Sequence, residues 1–265
     1  MKSEQIKAIT EKATGQLIAA LNAGHSETLN AYLKAIGRFH RYSLHNVMLI
    51  ALQKPNASHV AGFRTWNHLG RSVKKGEKGI VILAPVLRRK EEKNQEPIES
   101  TPSVAGFRAA YVFDITQTDG KELPAMGTVQ GDPKDSTVRL QAFAKAQGIS
   151  FEYSDQIAPA RGVSYGGRVV LLPGQTPAEE FSTLTHELAH ELLHRGERRN
   201  ATSKRIRETE AEATAFVVTS AIGLDTSSAS SDYIQIWNGD AALLNESLSF
   251  IRQAASLLLE ALTDE

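Results

Sequence analysis

The chain of 265 residues contains no cysteine. This absence excludes a disulfide framework, thiol catalysis and a thiolate metal site, so a metal ion would have to be bound by histidine and carboxylate side chains. Long apolar runs are also missing. No run approaches the ~20 residues of a membrane-spanning helix, and the N-terminal residues lack the apolar segment of a secretory signal. These absences predict a globular protein of the cytoplasm.

The chain as a whole has no net charge, but residues 1–90 are basic and the remainder is acidic. The sequence has 30 Lys and Arg against 30 Asp and Glu. Residues 1–90 contain 15 of the basic and 4 of the acidic residues, which leaves 15 basic and 26 acidic residues in the remainder. The basic first part predicts a polyanionic partner for that part alone. Alternatively, the two oppositely charged parts attract each other within the molecule.

The spacing of apolar residues, glycine and proline predicts a mixture of helices and strands. Helices are expected at 3–23, 26–52, 136–147, between Thr176 and Gly196, at 203–223 and at 240–263, and strands at 80–87, 107–118, 149–153 and 167–172. Segment 88–103 is polar and is expected to form a loop or hairpin tip. Segment 119–135 is rich in Gly, Pro and Asp, which is typical of a domain boundary. The sequence therefore predicts an α+β protein with domains at 1–125 and 126–265.

Three histidines recur at every fourth position in the segment THELAHELLH, residues 185–194. Because positions i and i+4 share one face of a helix, His186 and His190 can offer two imidazoles to one ion, with Glu187 beside them. Such a site leaves room for a water molecule, whose proton Glu187 would accept as a general base. The pattern predicts a zinc site, with manganese or cobalt as alternative ions. A chance match on an ordinary amphipathic helix is the other interpretation.

The third ligand is expected on the following helix, in the segment RETEAEATAFVV. Glu208 and Glu212 share a face of this helix, whereas Glu210 lies away from it. We predict that Glu208 binds the metal and that Glu212 holds the free N–H of a ligand histidine. The reverse assignment stays open. His194 is too far along its helix to join the same ion, since three histidines in this pattern extend over ~12 Å, and a surface or supporting role is expected for it.

This pattern resembles the glutamate-ligand zincin metallopeptidases, in which a helix with E-x-x-x-D/E/N follows the H-E-x-x-H helix. The resemblance implies a zincin-like C-terminal domain. It also implies that the strand GGRVVLLP, residues 166–173, is the edge strand that binds a peptide substrate by β-addition. Tyr165 would then be a possible residue of the substrate cleft, although tyrosines in strands commonly serve packing.

The first part of the chain interleaves basic and aromatic side chains. Cations neutralise phosphates and aromatic rings stack on unpaired bases, so this composition predicts binding of single-stranded DNA. Trp66 and Phe63 could instead be buried core residues, and the segment KKGEKG could be an ordinary soluble turn. The candidate DNA-binding residues are Arg38, Arg41, Tyr42, Arg64, Trp66, Arg71, Lys74, Lys75 and Lys78.

The segments Tyr42 to Asn46, GFRTW, LGRSVKKGEKGI and AP resemble the N-terminal single-stranded-DNA-binding domain of ArdC-type antirestriction proteins, and YIQIWNGD at 233–240 resembles their C-terminal region. The resemblance covers about 35–85 and 105–255 and adds Asn46 to the expected DNA-binding residues. It implies a protein that engages incoming single-stranded DNA, protects it from host restriction during plasmid transfer, and carries a metal-bound zincin-like domain.

Two further functions remain open at this point. In one, the protein binds DNA or a host restriction enzyme, and its metal only holds the C-terminal helices together. In the other, it is a processing metallopeptidase that uses DNA as a scaffold and cleaves proteins bound to the same strand.

Overall fold

The structure is a computed structural model that describes residues 11–12, 14–20, 23, 26–88, 103–121, 133–224 and 241–263. The chain divides into two compact units. The N-terminal unit comprises residues 1–13 and 48–123, and the C-terminal unit comprises 14–47 and 124–265. Both units combine helices with a sheet, so the predicted α+β class is confirmed. None of the described helices has the length and apolarity that crossing a bilayer requires.

The elements between residues 26 and 121 are short. In chain order they are α1 (Ser26–Arg38), α2 (Leu44–Gln53), β1 (Val60–Gly62), α3 (Phe63–His68), β2 (Arg71–Val73), β3 (Ile80–Arg88), β4 (Ser103–Asp114), a 3₁₀ helix (Ile115–Gln117) and β5 (Thr118–Gly120). The predicted helix at 26–52 is two helices, because Ser43 Oγ accepts a hydrogen bond from the Asn46 N–H and starts a new helix. The strands predicted at 80–87 and 107–118 are present, although the second ends at Asp114.

The elements from residue 133 onward follow the sequence prediction closely. They are α4 (Lys134–Ala146), β6 (Ser150–Tyr153), a 3₁₀ helix (Asp155–Ile157), β7 (Gly162–Ser164), β8 (Arg168–Leu171), α5 (Pro177–Leu193), α6 (Gly196–Ala201), α7 (Lys204–Ala221) and α8 (Ala241–Leu262). Strand β7 and helix α6 were not predicted, because three to six residues are too few to show a period. Segment 233–240 and nearly all of 88–103 lie outside the described residues, as does most of 119–135.

The predicted domain at 1–125 differs from the N-terminal unit in one segment. Residues 14–47 belong to the C-terminal unit, where α1 packs against α7. A Cβ added at Gly37 would lie only 3.0 Å from the carbonyl oxygen of Val217, so the two helices approach each other closely at this glycine. The apolar side chains Leu29 and Leu33 of α1 are buried. Residues 14–47 therefore belong to the C-terminal unit because α1 buries its apolar face there, although the segment lies between the two parts of the N-terminal unit in the sequence.

The sheet of the C-terminal unit corrects the prediction about the edge strand. Its strand order is β6-β8-β7, with β6 parallel and β7 antiparallel to β8. Strand β8, which was expected at the edge, therefore lies in the centre and has both of its edges paired. Its residues Val169, Val170 and Leu171 are buried, as a central strand requires. The edge strand beside the histidine helix is β7.

The sheet of the N-terminal unit is antiparallel, with the order β1-β4-β3. Side chains alternate between the two faces of a strand, and one face of this sheet carries Ile80, Ile82 and Val112, which are buried. Strand β3 is an edge strand, and the side-chain amide of Gln53 satisfies both the N–H and the carbonyl of Val81. A second pair of strands, β2 and β5, lies in the same unit.

Asp114 at the end of β4 organises the surrounding loops. Its side chain is fully buried and accepts hydrogen bonds from the N–H groups of Ser58 and His59 and from the N–H and hydroxyl of Thr116. Burial would raise the pKa of Asp114, but these hydrogen bonds outweigh burial and lower the pKa below its usual value. The carboxylate therefore stabilises the folded unit.

We expect Asp114→Asn to lower the free energy of unfolding by about 1–3 kcal/mol at neutral pH, because an amide NH₂ cannot accept the bonds that one carboxylate oxygen now accepts. The lowered pKa means that this stabilisation is present above the pKa of the unfolded chain and is lost as the pH falls through the folded value. Urea unfolding at several pH values measures it. Asp119→Asn is the control, because Asp119 is exposed. A difference between wild type and Asp114→Asn that stays constant into strong acid would contradict this account.

Candidate functional site

Helix α5 carries the predicted metal-binding histidines, and its start is encoded locally. Thr176 and Glu179 form a reciprocal capping box, in which each side chain accepts a hydrogen bond from the other residue's N–H. Phe181, Leu184 and Leu188 are fully buried along one face of the helix. This apolar face fixes the rotation of the helix, so that the histidines point away from the core.

Three potential ligands converge beside this helix. The Nε2 atoms of His186 and His190 are 3.1 Å apart, and Glu208 Oε2 on α7 lies 3.6 Å from each of them. Their ligand atoms all lie within 4.8 Å of one another. Within the described part of the chain, these residues are the one group of three His, Asp or Glu side chains with this geometry.

The size of this triangle fits a divalent cation. Two ligand atoms at about 2.0–2.2 Å from one tetrahedral ion lie roughly 3.3–3.5 Å apart, close to the observed separations. The electrostatics of the site also favour a cation. Burial would lower the pKa of His186, but hydrogen bonds with Glu208 and Glu212 outweigh burial and raise the pKa to about 9. The histidines in turn hold the pKa of Glu208 well below its usual value. The negative charge of Glu208 thus favours a cation between the two imidazoles.

The two glutamates of α7 have different positions relative to His186. Glu208 faces both Nε2 atoms, whereas Glu212 Oε2 lies 3.2 Å from His186 Nδ1. This is the placement that the predicted roles require, with Glu208 at the ion and Glu212 behind the histidine. The roles themselves stay predictions.

Glu187 is buried between α5 and the edge strand β7. Its side chain accepts a hydrogen bond from the Ser164 N–H, and a Cβ at Gly162 would lie 2.8 Å from Glu187 Cγ and 2.6 Å from Thr183 Cγ2. Only glycine therefore fits at position 162. Burial raises the pKa of Glu187, against the opposing effect of the nearby His186. The carboxylate thus has an increased proton affinity, which suits a general base.

Glu191, one helical turn after Glu187, was not singled out by the sequence analysis. Its buried carboxylate accepts hydrogen bonds from Ser164 Oγ at 2.6 Å, from the N–H groups of Gly166 and Gly167 at 2.8 and 2.7 Å, and from Arg195. These bonds attach the turn between β7 and β8 to α5 and so position the edge strand. The sequence did contain one indication of this role. Glu191 is four positions after Glu187 and therefore lies on the same face of the helix.

His194 is not a surface residue. Its side chain has no exposed area, with Nδ1 3.0 Å from His190 Nδ1 and Nε2 2.9 Å from Glu210 Oε2. Its position behind His190 agrees with the supporting role that the sequence left open. Glu210 does point away from Glu208, as predicted, but it is fully buried and bonded to Arg198 and Ser247. The cluster is not visible in the sequence, because Glu210 lies 16 residues from His194 and 37 residues from Ser247 along the chain.

The candidate DNA-binding residues are divided between the two units. Six of them are exposed, two are half-buried and two are buried. Arg38, Arg41, Tyr42 and Asn46 belong to the C-terminal unit, and Arg64, Trp66, Arg71, Lys74, Lys75 and Lys78 belong to the N-terminal unit. The structure therefore does not bring all ten residues into one unit.

Two of these residues are buried in the structure. Trp66 is only 1% exposed, fills the core of the N-terminal unit and donates its Nε1–H to the carbonyl of Phe113. Asn46 is also buried. For Trp66 the structure agrees with the alternative of a core residue, because burial of its large apolar surface is favourable. Phe63, by contrast, is 53% exposed.

The segment KKGEKG forms an exposed turn, which we call the basic turn (residues 74–79). Gly76 has a φ of 89°, a conformation that side-chain-bearing residues rarely adopt. Lys74 lies near Asp119, whereas Lys75 and Lys78 are exposed at the surface. Arg71 is engaged in the pairing of β2 with β5, since its guanidinium donates to Thr118 and Gly120.

Tyr165, the possible cleft residue, follows β7 directly. Tyr165 is 54% exposed, and its ring centroid lies 4.6 Å from the guanidinium carbon of Arg168. Tyr165 directly precedes Gly166 and Gly167, whose N–H groups donate to Glu191.

Comparison with known proteins relates both the sequence and the fold to one family. Residues 7–113 match the family model of the N-terminal domain of anti-restriction factor ArdC. A search of solved structures finds ArdC of plasmid R388 in a metal-free form (24% identity, TM-score 0.54, covering 96% of this chain and 97% of that one) and in a Mn(II)-bound form (23%, 0.55, 96% and 98%). The predicted resemblance to ArdC-type proteins is confirmed by the family match and by the fold.

A curated relative carries no assigned function. It is an uncharacterized protein of Bacillus anthracis, 26% identical over 300 aligned positions that cover 96% of this chain. The chain spans about half the length of that relative, 51%.

Proposed function

We propose, from the match of residues 7–113 to the N-terminal domain of ArdC and from the ArdC-like fold, that this chain is an antirestriction protein of the ArdC type. In this proposal it binds single-stranded DNA through its N-terminal unit and a divalent cation through its C-terminal unit. In this role it would engage incoming single-stranded DNA and protect it from host restriction. The observation that carries the proposal is the convergence of His186, His190 and Glu208 in a chain with an ArdC N-terminal domain. The Mn(II)-bound form of ArdC supports a divalent cation, and we propose zinc, which two imidazoles and one carboxylate suit.

The geometry around the three ligands supports peptide hydrolysis. A bound cation would supply a Lewis acid and lower the pKa of a water molecule to about 7. Glu187 would accept the proton of that water as it attacks a peptide carbonyl, and the Ser164 N–H holds the Glu187 carboxylate in place. Glu212 would fix the ring of His186 through Nδ1. The edge strand β7, next to Glu187, would be the strand that pairs with an extended peptide.

A purely structural metal is the second candidate. Structural zinc sites are closed by four protein ligands, whereas catalytic sites have three and keep one position open. Among the described residues three donors converge, and the Glu208 side chain is 51% exposed, which favours an open site. A DNA-scaffolded processing peptidase would use the same residues and differ only in its substrate, a protein bound to the same strand.

We expect Glu187→Gln to retain the metal and to abolish hydrolysis, because the amide cannot accept a proton. His186→Ala and Glu208→Gln should lose the metal, because each removes one of three ligands. Elemental analysis after dialysis against zinc, manganese and cobalt measures metal content and preference, and cleavage of an unstructured protein such as casein measures hydrolysis. Glu197→Gln, at an exposed position of α6, is the matched control.

Three results would change this proposal. A wild-type protein that retains no metal after zinc is supplied would refute the cation site. Metal content without any hydrolysis, in wild type as in Glu187→Gln, would favour the structural metal. Antirestriction that survives Glu187→Gln in a plasmid-transfer assay would separate the biological role from hydrolysis.

The charge of the N-terminal unit supports the proposed DNA binding. Residues 48–88 and 103–121 carry nine Lys and Arg against three Asp and Glu, a net charge of +6. Lys75 and Lys78 of the basic turn are exposed and can approach phosphates. Binding through phosphates has no sequence preference, as a protein that protects any incoming strand requires.

We expect the affinity for a single-stranded oligonucleotide to fall steeply with salt, because each phosphate that the protein neutralises releases counterions. Replacing Lys75 and Lys78 by alanine should reduce the slope of log affinity against log salt by about 0.7 for each phosphate that is no longer neutralised. Fluorescence anisotropy with single- and double-stranded oligonucleotides measures both effects. Lys145→Ala, an exposed lysine of α4, is the control. A salt-independent affinity would refute phosphate binding.

A further inference from the structure

The sheet of the N-terminal unit has one face that is covered and one that is open. Strand β4 places Phe107 and Tyr111 on the same face, because their positions differ by four and side chains alternate. Both residues are 60% exposed, whereas Ile82 and Val112 on the opposite face are buried. We call the surface formed by these two rings the aromatic face.

The aromatic face adjoins the basic turn. Gly79, the last residue of that turn, lies directly against Tyr111, since a Cβ at Gly79 would be 3.0 Å from Tyr111 Cβ and 3.1 Å from its Cδ1. Lys78 is the residue before Gly79. An exposed lysine therefore lies one position along the chain from the glycine that contacts an exposed ring, and a cation near an aromatic ring is the combination that binds a phosphate and the base attached to it.

We infer that the aromatic face is the surface on which bases of single-stranded DNA stack, with Tyr111 and Phe107 as the stacking residues. The inference rests on the proposed DNA binding and replaces Trp66, which is buried, with two rings that the sequence analysis did not select. The rings are about 13 Å apart along the strand, so they would contact separate bases of one extended strand. Single-stranded bases expose their π-faces whatever the sequence, so this mode of binding has little sequence preference.

The test compares stacking with charge. Phe107→Leu and Tyr111→Leu keep an apolar side chain but remove the ring, and each should weaken binding of an oligothymidylate roughly 5- to 150-fold. The salt slope should stay unchanged, because no cation is removed. Tyr111→Trp should restore affinity. Tyr153→Leu, which removes an exposed ring from β6 in the other unit, should have no effect.

An abasic oligonucleotide of the same length provides the decisive comparison. Wild type should prefer oligothymidylate over the abasic strand, and the double variant of Phe107 and Tyr111 should lose that preference. If wild type binds neither strand, the proposed DNA binding fails. If wild type binds DNA and the leucine variants bind it equally well, only the aromatic face is refuted. A concentration-dependent dimer in sedimentation that Tyr111→Leu abolishes, with DNA binding intact, would assign this face to a second copy of the chain instead.

A separate observation concerns the nitrogen of His190 that faces away from the candidate ion. His190 Nε2 points to His186 and Glu208, and His190 Nδ1 lies 3.0 Å from Nδ1 of His194. One of these two Nδ1 atoms must donate and the other must accept. The tautomer of His194 therefore decides the tautomer of His190.

The tautomer of His194 follows from Glu210. The Glu210 carboxylate accepts two parallel hydrogen bonds from Arg198, at 2.7 and 2.8 Å, and one from Ser247 Oγ at 2.7 Å. The guanidinium of Arg198 forms an ion pair with this buried carboxylate, which favours its charged form. A carboxylate can only accept, so Nε2 of His194 donates to it, and Nδ1 of neutral His194 is an acceptor.

The geometry points to His194 and Glu210 as positioning residues for the metal ligand His190. Nδ1–H of His190 donates to His194, which leaves Nε2 of His190 with a free lone pair directed at the ion. This inference rests on the proposed cation site. Neither residue touches the ion or a substrate. They act by fixing the tautomer and the ring orientation of one ligand, an effect that changes metal affinity by about 10- to 100-fold at comparable sites.

Variants of His194 separate this role from packing. His194→Gln can accept from His190 and donate to Glu210, so it should bind zinc nearly as well as wild type. His194→Phe has a similar shape without either function and should bind zinc about 10- to 100-fold more weakly. Competition with a chelator measures the affinity, and unfolding in EDTA shows whether each variant is folded. Thr214→Val, a buried residue that bonds only the Glu210 carbonyl, should change stability without changing zinc affinity.

Histidine tautomers provide a readout that packing alone would not move. In wild type, ¹⁵N spectra should show His194 protonated on Nε2 and His190 on Nδ1. Glu210→Gln can turn a donor towards His194 and should reverse both tautomers, which places a proton on the ligand atom of His190. Loss of zinc binding in wild type itself would refute the cation site. Zinc binding that is equal in wild type, His194→Phe and Glu210→Gln would refute only the positioning role.

Discussion

The arrangement of the C-terminal helices depends on one buried carboxylate. Glu210 on α7 has no exposed surface, and a charge in such surroundings is destabilising unless it is paired and fully hydrogen-bonded. Its partners come from three other helical segments: His194 from the end of α5, Arg198 from α6 and Ser247 from α8. Arg198 also lies 3.6 Å from the ring of Phe250 on α8. Neutralising this one charge therefore fixes four helices relative to one another.

The candidate ion site lies on the other side of the same helix pair. Residues 208 and 212 are one turn apart and face the two histidines of α5, whereas residue 210 points to the opposite side and holds His194. The open cluster and the buried cluster thus share α5 and α7, and His190 belongs to both through its two ring nitrogens. The buried cluster supplies rigidity, and the open cluster has solvent access. Both are conditions for a metal site that performs chemistry.

The sheet of the N-terminal unit has one buried face and one exposed face. This antiparallel sheet buries the face that carries Ile80, Ile82 and Val112 and leaves the opposite face with exposed rings beside a basic turn. Exposed apolar rings on a one-sided sheet are a cost in solubility, which positive charge reduces. The same combination is the basis for the proposed binding of a polyanion that has planar apolar groups. The basic charge seen in the sequence therefore has a structural counterpart, but at residues that the charge pattern alone did not identify.

Local patterns predicted the C-terminal unit well. The capping residues Thr176 and Glu179, the spacing of His186 and His190, and the shared face of Glu208 and Glu212 all follow from the 3.6-residue period and were visible without coordinates. The sequence was less informative for the first half of the chain. Strands of three residues show no period, and a tryptophan among lysines has the same signature whether it is buried or exposed.

The sequence by itself determined which residues share a helix face, because that relation is fixed by a repeat within one element. Only the tertiary structure decided relations between elements distant along the chain. It showed that β7 rather than β8 is the edge strand, that Trp66 is core while Phe107 and Tyr111 are exposed, and that Glu210 meets His194, Arg198 and Ser247. The physical reason is that burial and pairing are collective properties. A charge or a ring is satisfied by whichever side chains the packed elements bring to it, and no local period encodes that choice.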